Sequence, residues 1–183
     1  MTDNSEKVND NVRMSRYSWD YEGLGEAVHW FLMAKAYLDC SIHLFSEMMD
    51  KKLKSSFHHA KVATMLFEHS IELFLKAGIV QAGQEVGKSH NLQELYNQFR
   101  KLYPGKKHQF EGDIVSAVRQ ISITPYNVYT RYPTDNFGQL WPGNTHIDLV
   151  IWYKQLCLFV KDFERLEPLL KERYPQGSKK TEN

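Results

Sequence analysis

The segment from residue 57 to residue 91 constrains the fold more than any other part of the chain, because it reads as one long amphipathic helix followed by a glycine-containing loop. Apolar side chains recur every three or four residues along its first part, at Ala60, Ala63, Phe67, Ile71 and Phe74. This spacing is typical of a helix that buries one face. We predict a helix over residues 56–77, ended by Gly78 as a C-terminal cap.

Other stretches of the chain carry the same helical period. We predict a long first helix over residues 23–52, joined to the second by a short turn as an antiparallel hairpin. A third helix is expected over residues 92–102 with Asn91 as its N-cap, and a short fourth over residues 114–121. A last long helix should start near Thr145, with Thr145 as its N-cap. With no convincing strand pattern, the sequence predicts an all-α, up-and-down bundle of four to five helices.

The length of 183 residues is that of one ordinary domain with a core of its own. We expect a disordered polar tail over residues 1–17, one helical domain over residues 18–174, and a polar C-terminal tail over residues 175–183. Cys40 and Cys157 fall in apolar helical stretches and should be reduced core thiols. No apolar stretch is long enough to cross a membrane and the first residues lack a signal-peptide core, so we expect a cytoplasmic protein.

The charge balance gives no global signature of polyanion binding, since the formal net charge is +1. Locally, however, residues 51–61 hold four lysines and no acid, and residues 88–108 hold five basic side chains against Glu94. Two interpretations remain open for these segments. They are either solvated helix ends or a basic rim that contacts phosphate or RNA.

A line of charged residues on the second helix is the first candidate for a site. Glu68, Glu72 and Lys76 follow one another at i, i+4 steps and therefore project from one side of the helix. Glu72 and Lys76 can form a simple surface ion pair of small energetic weight. Alternatively, the pair is shared across the bundle with His90 or Arg131.

Two loops supply the remaining candidates. The loop with Gly83 and Gly87 delivers Lys88 and His90 to the start of the third helix, where they can hold a phosphate together with free backbone N–H groups. The alternative is that His90 caps the third helix or packs against the second. In the aromatic-rich loop of residues 123–145, Arg131 can stack on Tyr132 and bind a phosphate with two hydrogen bonds, or serve as a structural arginine. The predicted ligand-binding set is Glu72, Lys76, Lys88, His90, Arg131 and Tyr132.

Three short motifs in this order resemble the HEPN family of prokaryotic helical domains. They are ELFLKA at residues 72–77, KSHNLQEL at residues 88–95, and Arg131-Tyr132-Pro133 before the last helix. The resemblance covers residues 24–170 and implies a bundle of four or five helices that often dimerises. It also implies a place among ribonuclease toxins, partners of small nucleotidyltransferases, or nucleotide-binding modules, in a toxin–antitoxin or defence context.

The catalytic members of the family use an arginine followed, after four to six residues, by a histidine. Here Arg100 is separated from His108 by seven residues and Arg131 from His146 by fourteen, so that motif is absent from the sequence as written. We therefore expect a non-catalytic, homodimeric HEPN-like domain that binds a nucleotide or nucleic acid or pairs with a nucleotidyltransferase-type protein. The alternatives are a divergent metal-independent ribonuclease, using Arg131 with His90 or His146, and a purely structural interaction bundle. We predict no cofactor, and no metal site, because the His69-x-x-Glu72 spacing has no second copy.

Overall fold

The computed structural model describes residues 25–53, 57–87, 89–117 and 148–175. These ranges contain four α-helices: α1 (Glu26–Met49), α2 (Phe57–Gln81), α3 (Leu92–Leu102) and α4 (Leu149–Arg173). A 3₁₀ turn spans Lys106–His108, a helical turn begins at Ile114, and no strand occurs in the described ranges. The predicted all-α fold is confirmed. The N-terminal tail and all but the first residue of the C-terminal tail lie outside the described residues.

Helices α1 and α2 form the antiparallel hairpin that the short connection between them predicts. Phe31 meets Phe74, Tyr37 meets His69, and the Ser41 hydroxyl donates to the carbonyl oxygen of Ala63 at 2.7 Å. Residue numbers rise along α1 as they fall along α2, so the two chains run in opposite directions. The α1 face that packs inward consists of Ala27, Phe31, Ala34, Leu38, Ser41, Phe45 and Met48.

Helix α4 closes the core with aromatic side chains. Phe163 stacks on Phe74 with ring centroids 4.0 Å apart, and Phe159 meets Phe67 edge-on at 5.0 Å. The start of α4 differs from the prediction, because its N-cap is Asp148, which accepts from the N–H groups of Val150 and Ile151 at 3.0 Å each. An aspartate three residues after Thr145 meets the same capping requirement, and sequence spacing alone does not separate the two.

The prediction that Gly78 ends α2 is wrong. The helix continues to Gln81, so Gly78 lies inside it. A Cβ at this position would lie 2.6 Å from Cε2 of Phe99, so a hydrogen side chain is what lets α3 approach α2 this closely. The Tyr103 hydroxyl also donates to the carbonyl oxygen of Gly78 at 2.8 Å. The glycine therefore serves helix packing rather than helix termination.

The expectation of two core thiols is wrong in the case of Cys40, which is exposed on α1, and Cys157 on α4 is half-buried. Neither forms a disulfide. The apolar stretch around Cys40 had suggested burial. The inward face of α1, however, passes through Leu38 and Ser41 and leaves Cys40 on the outside.

Candidate functional site

Glu72 of α2 is the centre of a compact charged cluster. Its Oε1 accepts a hydrogen bond from Nζ of Lys76, one helical turn later, at 2.7 Å. The same oxygen lies 2.8 Å from Nδ1 of His90, which the loop after α2 brings back onto the helix. The side chains of Glu72 and Lys76 are each only 6% exposed, so this is a buried pair and not the surface pair that spacing alone would allow.

The Glu72 carboxyl is held in its ionised form by its neighbours. Burial by itself would raise its pKa, because a charge is poorly solvated away from water. The interactions with His69, Lys76 and His90 outweigh burial and lower the pKa from 4.5 to about 2. At neutral pH, Glu72 is therefore a carboxylate that only accepts hydrogen bonds.

His69 lies on the other side of the same carboxylate. Its Nδ1 is 3.6 Å from Oε2 of Glu72, beyond hydrogen-bond distance, so we regard the contact as electrostatic. The imidazole ring meets Tyr37 of α1 edge-on at 4.7 Å. No group of three or more acidic, histidine or cysteine side chains within the described ranges is arranged to hold a metal ion.

The ionised carboxylate fixes how His90 presents itself to a ligand. Because Glu72 is an acceptor, Nδ1 of His90 carries a proton and donates it to Oε1. Nε2 is then the ring nitrogen left for a ligand, and it accepts a hydrogen bond when the ring is neutral and donates one when the ring is protonated. The side chain is 62% exposed, which gives a ligand access to it.

The start of α3 has fewer available N–H groups than the sequence suggests. Oδ1 of Asn91 accepts from the N–H groups of Gln93 and Glu94, and the Ser89 hydroxyl accepts from the N–H of Asn91. The predicted N-cap is confirmed, but Glu94 contacts the Ser89 hydroxyl instead of completing a capping box. Because these donors are already used, the expected phosphate site on free N–H groups is not supported here.

Trp30 of α1 is a neighbour of the cluster that the sequence did not single out. Nζ of Lys76 lies 5.8 Å from the centre of its indole ring, within the range of a cation–π contact. The indole Nε1 donates to Oε1 of Glu26 at 3.3 Å. Detecting this contact from sequence would require the register between α1 and α2, which local periodicity does not define.

Of the six predicted ligand-binding residues, the structure brings together Glu72, Lys76 and His90. The other three, Lys88, Arg131 and Tyr132, lie outside the described residues. The interpretation that Glu72 and Lys76 share their pair with His90 agrees with the geometry. Whether any of these residues binds a ligand remains a prediction.

The two basic segments differ in the structure. In the first, the Lys52 ammonium forms ion pairs with Glu47 at 3.5 Å and Asp50 at 3.3 Å. Lys61 is only 8% exposed, and burial lowers the pKa of its ammonium group. In the second, four side chains at and beyond the end of α3 are exposed: Arg100, Lys101, Lys106 and Lys107. Among the described residues, the second segment therefore resembles a basic rim more closely than the first.

The candidate cluster reaches the surface through His90, whereas Glu72 and Lys76 are buried beneath it. A cavity of about 830 Å³ opens at one end of the bundle, lined by the start of α1, the loop after α2 and Lys171, and none of Glu72, Lys76 and His90 lines it. The exposed imidazole of His90 is accessible to an extended ligand that need not be enclosed. Among the described helices, none has the length and apolarity needed to cross a membrane.

Comparison with known proteins gives one family. The model of the HEPN domain matches residues 27–149, which include α2 and α3 in full and all of α1 except its first residue. No curated protein and no solved structure shows significant similarity to the chain. Because the family match covers more than half of the sequence, the chain belongs to the HEPN domain family.

Proposed function

We propose that this chain is a non-catalytic HEPN domain that binds a short single-stranded RNA through His90 and the outer face of α3. Membership of the HEPN family indicates a nucleic-acid-related function. The observation that carries the proposal is the contact between Glu72 and His90, in which a buried carboxylate orients an exposed imidazole.

The energetics of the cluster favour a functional role over a purely structural one. Burying Glu72 and Lys76 removes two charges from water, a cost that their mutual attraction offsets only in part. The bond to His90 joins an exposed side chain to this pair, and exposed ion pairs contribute little to stability. Perturbed charged groups of this kind cluster at functional sites.

The surface next to His90 also suits a polyanion. Helix α3 has 11 residues and is therefore about 16 Å long, with His90 before its start and the exposed Arg100 and Lys101 in its last turn. A strand that contacts His90 and follows α3 would meet these two side chains and then Lys106 and Lys107. Exposed basic side chains along such a path would neutralise phosphates of the strand.

The proposal is tested by fluorescence anisotropy with a labelled 12-nucleotide single-stranded RNA. We expect His90→Ala to weaken binding roughly ten-fold, the loss of one hydrogen bond to a charged group. The matched control is His43→Ala, because His43 is exposed on α1 at a position closer to the opposite end of the hairpin. Equal affinities for the wild type and both variants would contradict the role of His90, and no binding by the wild type would contradict the proposed function.

A second candidate function is a metal-independent ribonuclease, and the fixed tautomer of His90 favours it. An imidazole held by a carboxylate at Nδ1 can exchange a proton at Nε2, as a general base for a ribose 2′-hydroxyl requires. The test is incubation of end-labelled RNA with the protein in excess EDTA. Cleavage that is lost in His90→Ala or Arg131→Ala and retained in His43→Ala would replace the binding proposal with this one.

HEPN domains often dimerise, and we propose a homodimer for this chain. Large apolar side chains are exposed on the hairpin, with Leu32 at 53%, Met33 at 46% and Val62 at 46%. Sedimentation of the wild type and of Met33→Glu tests this, since a charge in an apolar interface should favour the monomer. Pairing with a nucleotidyltransferase-type protein remains a prediction of the family resemblance.

A further inference from the structure

Trp30 is held in one orientation next to the charged cluster. It lies in the second turn of α1, half-buried against the core, and its indole Nε1 donates to Glu26 one turn earlier. Lys76 places its ammonium group over the ring. An indole fixed by an acceptor at its edge and by a cation over its ring has little freedom to rotate. Because Lys76 covers one side of the ring, a ligand would meet a preorganised indole on the part of the ring that stays exposed.

Trp30 is connected to His90 through two charged groups. The Lys76 ammonium that lies over the indole also donates to Glu72, and Glu72 accepts from His90. The indole and the imidazole are thus the aromatic groups at the two ends of one continuous set of contacts. Neither ring is fully buried, since Trp30 is half-buried and His90 is largely exposed.

This arrangement matches the chemistry of a single-stranded nucleic acid. Such strands bind through their backbone to polar and basic groups and through their bases to aromatic side chains. Lys76, which is almost fully buried and bonded to Glu72, cannot serve as the main phosphate contact without losing that bond. What the cluster offers a ligand is therefore an imidazole nitrogen and an aromatic ring.

We infer that Trp30 is a stacking platform for a nucleobase of the same ligand whose sugar–phosphate backbone contacts His90. The inference rests on the proposed function and specifies it further. The ligand must contain bases, which excludes a bare polyphosphate or an acidic peptide as an equivalent substitute. Recognition should tolerate different base sequences, because every base has a π face.

The experiment compares two probes with three proteins. The probes are a labelled 12-nucleotide oligouridylate and an abasic ribose–phosphate oligomer of the same length and charge. The proteins are the wild type, Trp30→Leu, which removes the aromatic ring but keeps an apolar side chain, and Trp30→Phe, which restores a ring. Anisotropy gives each dissociation constant, and circular dichroism with thermal melting establishes that each variant is folded.

The wild type should bind the oligouridylate roughly ten-fold more tightly than the abasic oligomer, the usual effect of stacking one base. Trp30→Leu should lose this preference, Trp30→Phe should recover most of it, and the affinity for the abasic oligomer should be the same in all three proteins. In addition, the oligouridylate should quench tryptophan fluorescence in the wild type more than in Trp30→Phe, which retains three of the four tryptophans.

Two results would overturn the inference while leaving RNA binding intact: equal affinity of the wild type for both probes, or a preference for the oligouridylate that persists in Trp30→Leu. A wild type that binds neither probe would instead overturn the proposed function. If Trp30→Leu does not fold, the comparison of fluorescence quenching between the wild type and Trp30→Phe decides the question. Equal quenching would then contradict stacking on Trp30.

Discussion

Glu72 determines the geometry of the candidate site at the scale of single residues. One of its carboxylate oxygens, Oε1, accepts hydrogen bonds from both Lys76 and His90. The other, Oε2, lies near Nδ1 of His69. Removing the carboxylate charge would leave the Lys76 ammonium buried without its counter-ion and would release the imidazole of His90. A substitution that removes this charge should therefore lower stability through Lys76 and weaken ligand binding through His90.

The stability contributed by Glu72 should depend on pH in a defined window. Its folded-state pKa of about 2 lies below the ordinary 4.5, so the contribution is fully present above pH 4.5 and is lost as the pH falls towards 2. The difference between the two pKa values limits this contribution to about 3 kcal/mol. We expect Glu72→Gln to be less stable than the wild type by up to about 3 kcal/mol at pH 7, since the amide keeps the shape but not the charge.

The measurement is the free energy of urea unfolding of the wild type and Glu72→Gln at several pH values from 7 down to 2.5. The difference between the two should be constant from pH 7 to 5 and should shrink below pH 4.5. Other carboxyls with lowered pKa values, such as Glu167, titrate in both proteins and cancel in the difference. A gap that stays constant down to pH 2.5 would show that the ionisation of Glu72 does not stabilise the fold.

At the scale of helices, Gly78 sets the distance between α2 and α3. Phe99 is 1% exposed and packs over the glycine, with Tyr103 bonded to the carbonyl oxygen of the same residue. Because the Phe99 ring is enclosed, it cannot easily turn away from an added methyl group. This contact lies in the second half of α3 and fixes how closely that part of the helix approaches α2.

We expect Gly78→Ala to destabilise the protein by about 1 kcal/mol. The overpacking cost of about 1–3 kcal/mol exceeds the gain of up to about 1 kcal/mol from replacing glycine inside a helix. Gly87→Ala is the control, because the nearest atom to a Cβ there is 4.0 Å away and the change should stay within about 0.5 kcal/mol. Urea unfolding of both variants tests this.

The double variant Gly78→Ala/Phe99→Leu separates the steric effect from helix propensity. If the methyl group collides with the Phe99 ring, the double variant should be more stable than the sum of the two single changes predicts. Additive effects would mean that the glycine is required for another reason, for example to keep its carbonyl oxygen accessible to Tyr103.

The sequence predicts those features that depend on local spacing. The helical period gave α1, α2 and α3 to within a few residues, and the i, i+4 step placed Lys76 against Glu72. Gly78 was misassigned because a glycine near the end of an apolar stretch is equally compatible with a cap and with a close helix contact. Only the position of Phe99 distinguishes these, and Phe99 is 21 residues away in the sequence.

In the candidate site, too, contacts set by local spacing could be predicted and contacts set by tertiary packing could not. The pairing of His90 with Glu72 was one of several alternatives at the sequence level, because the course of the loop between them is not encoded in a periodic pattern. The neighbouring Trp30 was missed altogether, since it is brought to Lys76 by the register of α1 against α2. That register results from the packing of the whole hairpin and has no short motif.

At the scale of the whole molecule, Asp162 of α4 joins the segment after α3 to the bundle. It is fully buried and accepts hydrogen bonds from the N–H groups of Glu111 and Gly112 and from Arg165. Arg165 in turn donates to the carbonyl oxygens of Lys107 and Gln109. This network fixes the backbone that carries the basic side chains beyond α3.

Asp162→Asn should lower the free energy of unfolding by about 3–5 kcal/mol, because the amide presents N–H donors to other donors and leaves Arg165 without its carboxylate. Hydrogen exchange should show faster exchange at the amides of Glu111 and Gly112 than in the wild type. Asp148→Asn is the matched control, since asparagine caps a helix as well as aspartate does and should change stability little. Unchanged exchange at both amides in Asp162→Asn would contradict the anchoring role.

The distribution of charge, rather than its total, should decide how the molecule binds a polyanion. The net charge is only +1, Lys52 is paired with Glu47 and Asp50, and Lys61 is buried, whereas four exposed basic side chains follow closely in sequence at and beyond the end of α3. Replacing Arg100 and Lys101 by glutamine should reduce the slope of log affinity for single-stranded RNA against log salt by about 1.4, if each contacts one phosphate. The control is Lys51→Gln/Lys52→Gln, which changes the net charge equally but should leave the slope almost unchanged. The same reduction in both double variants would mean that overall charge, and not a defined path along α3, attracts the RNA.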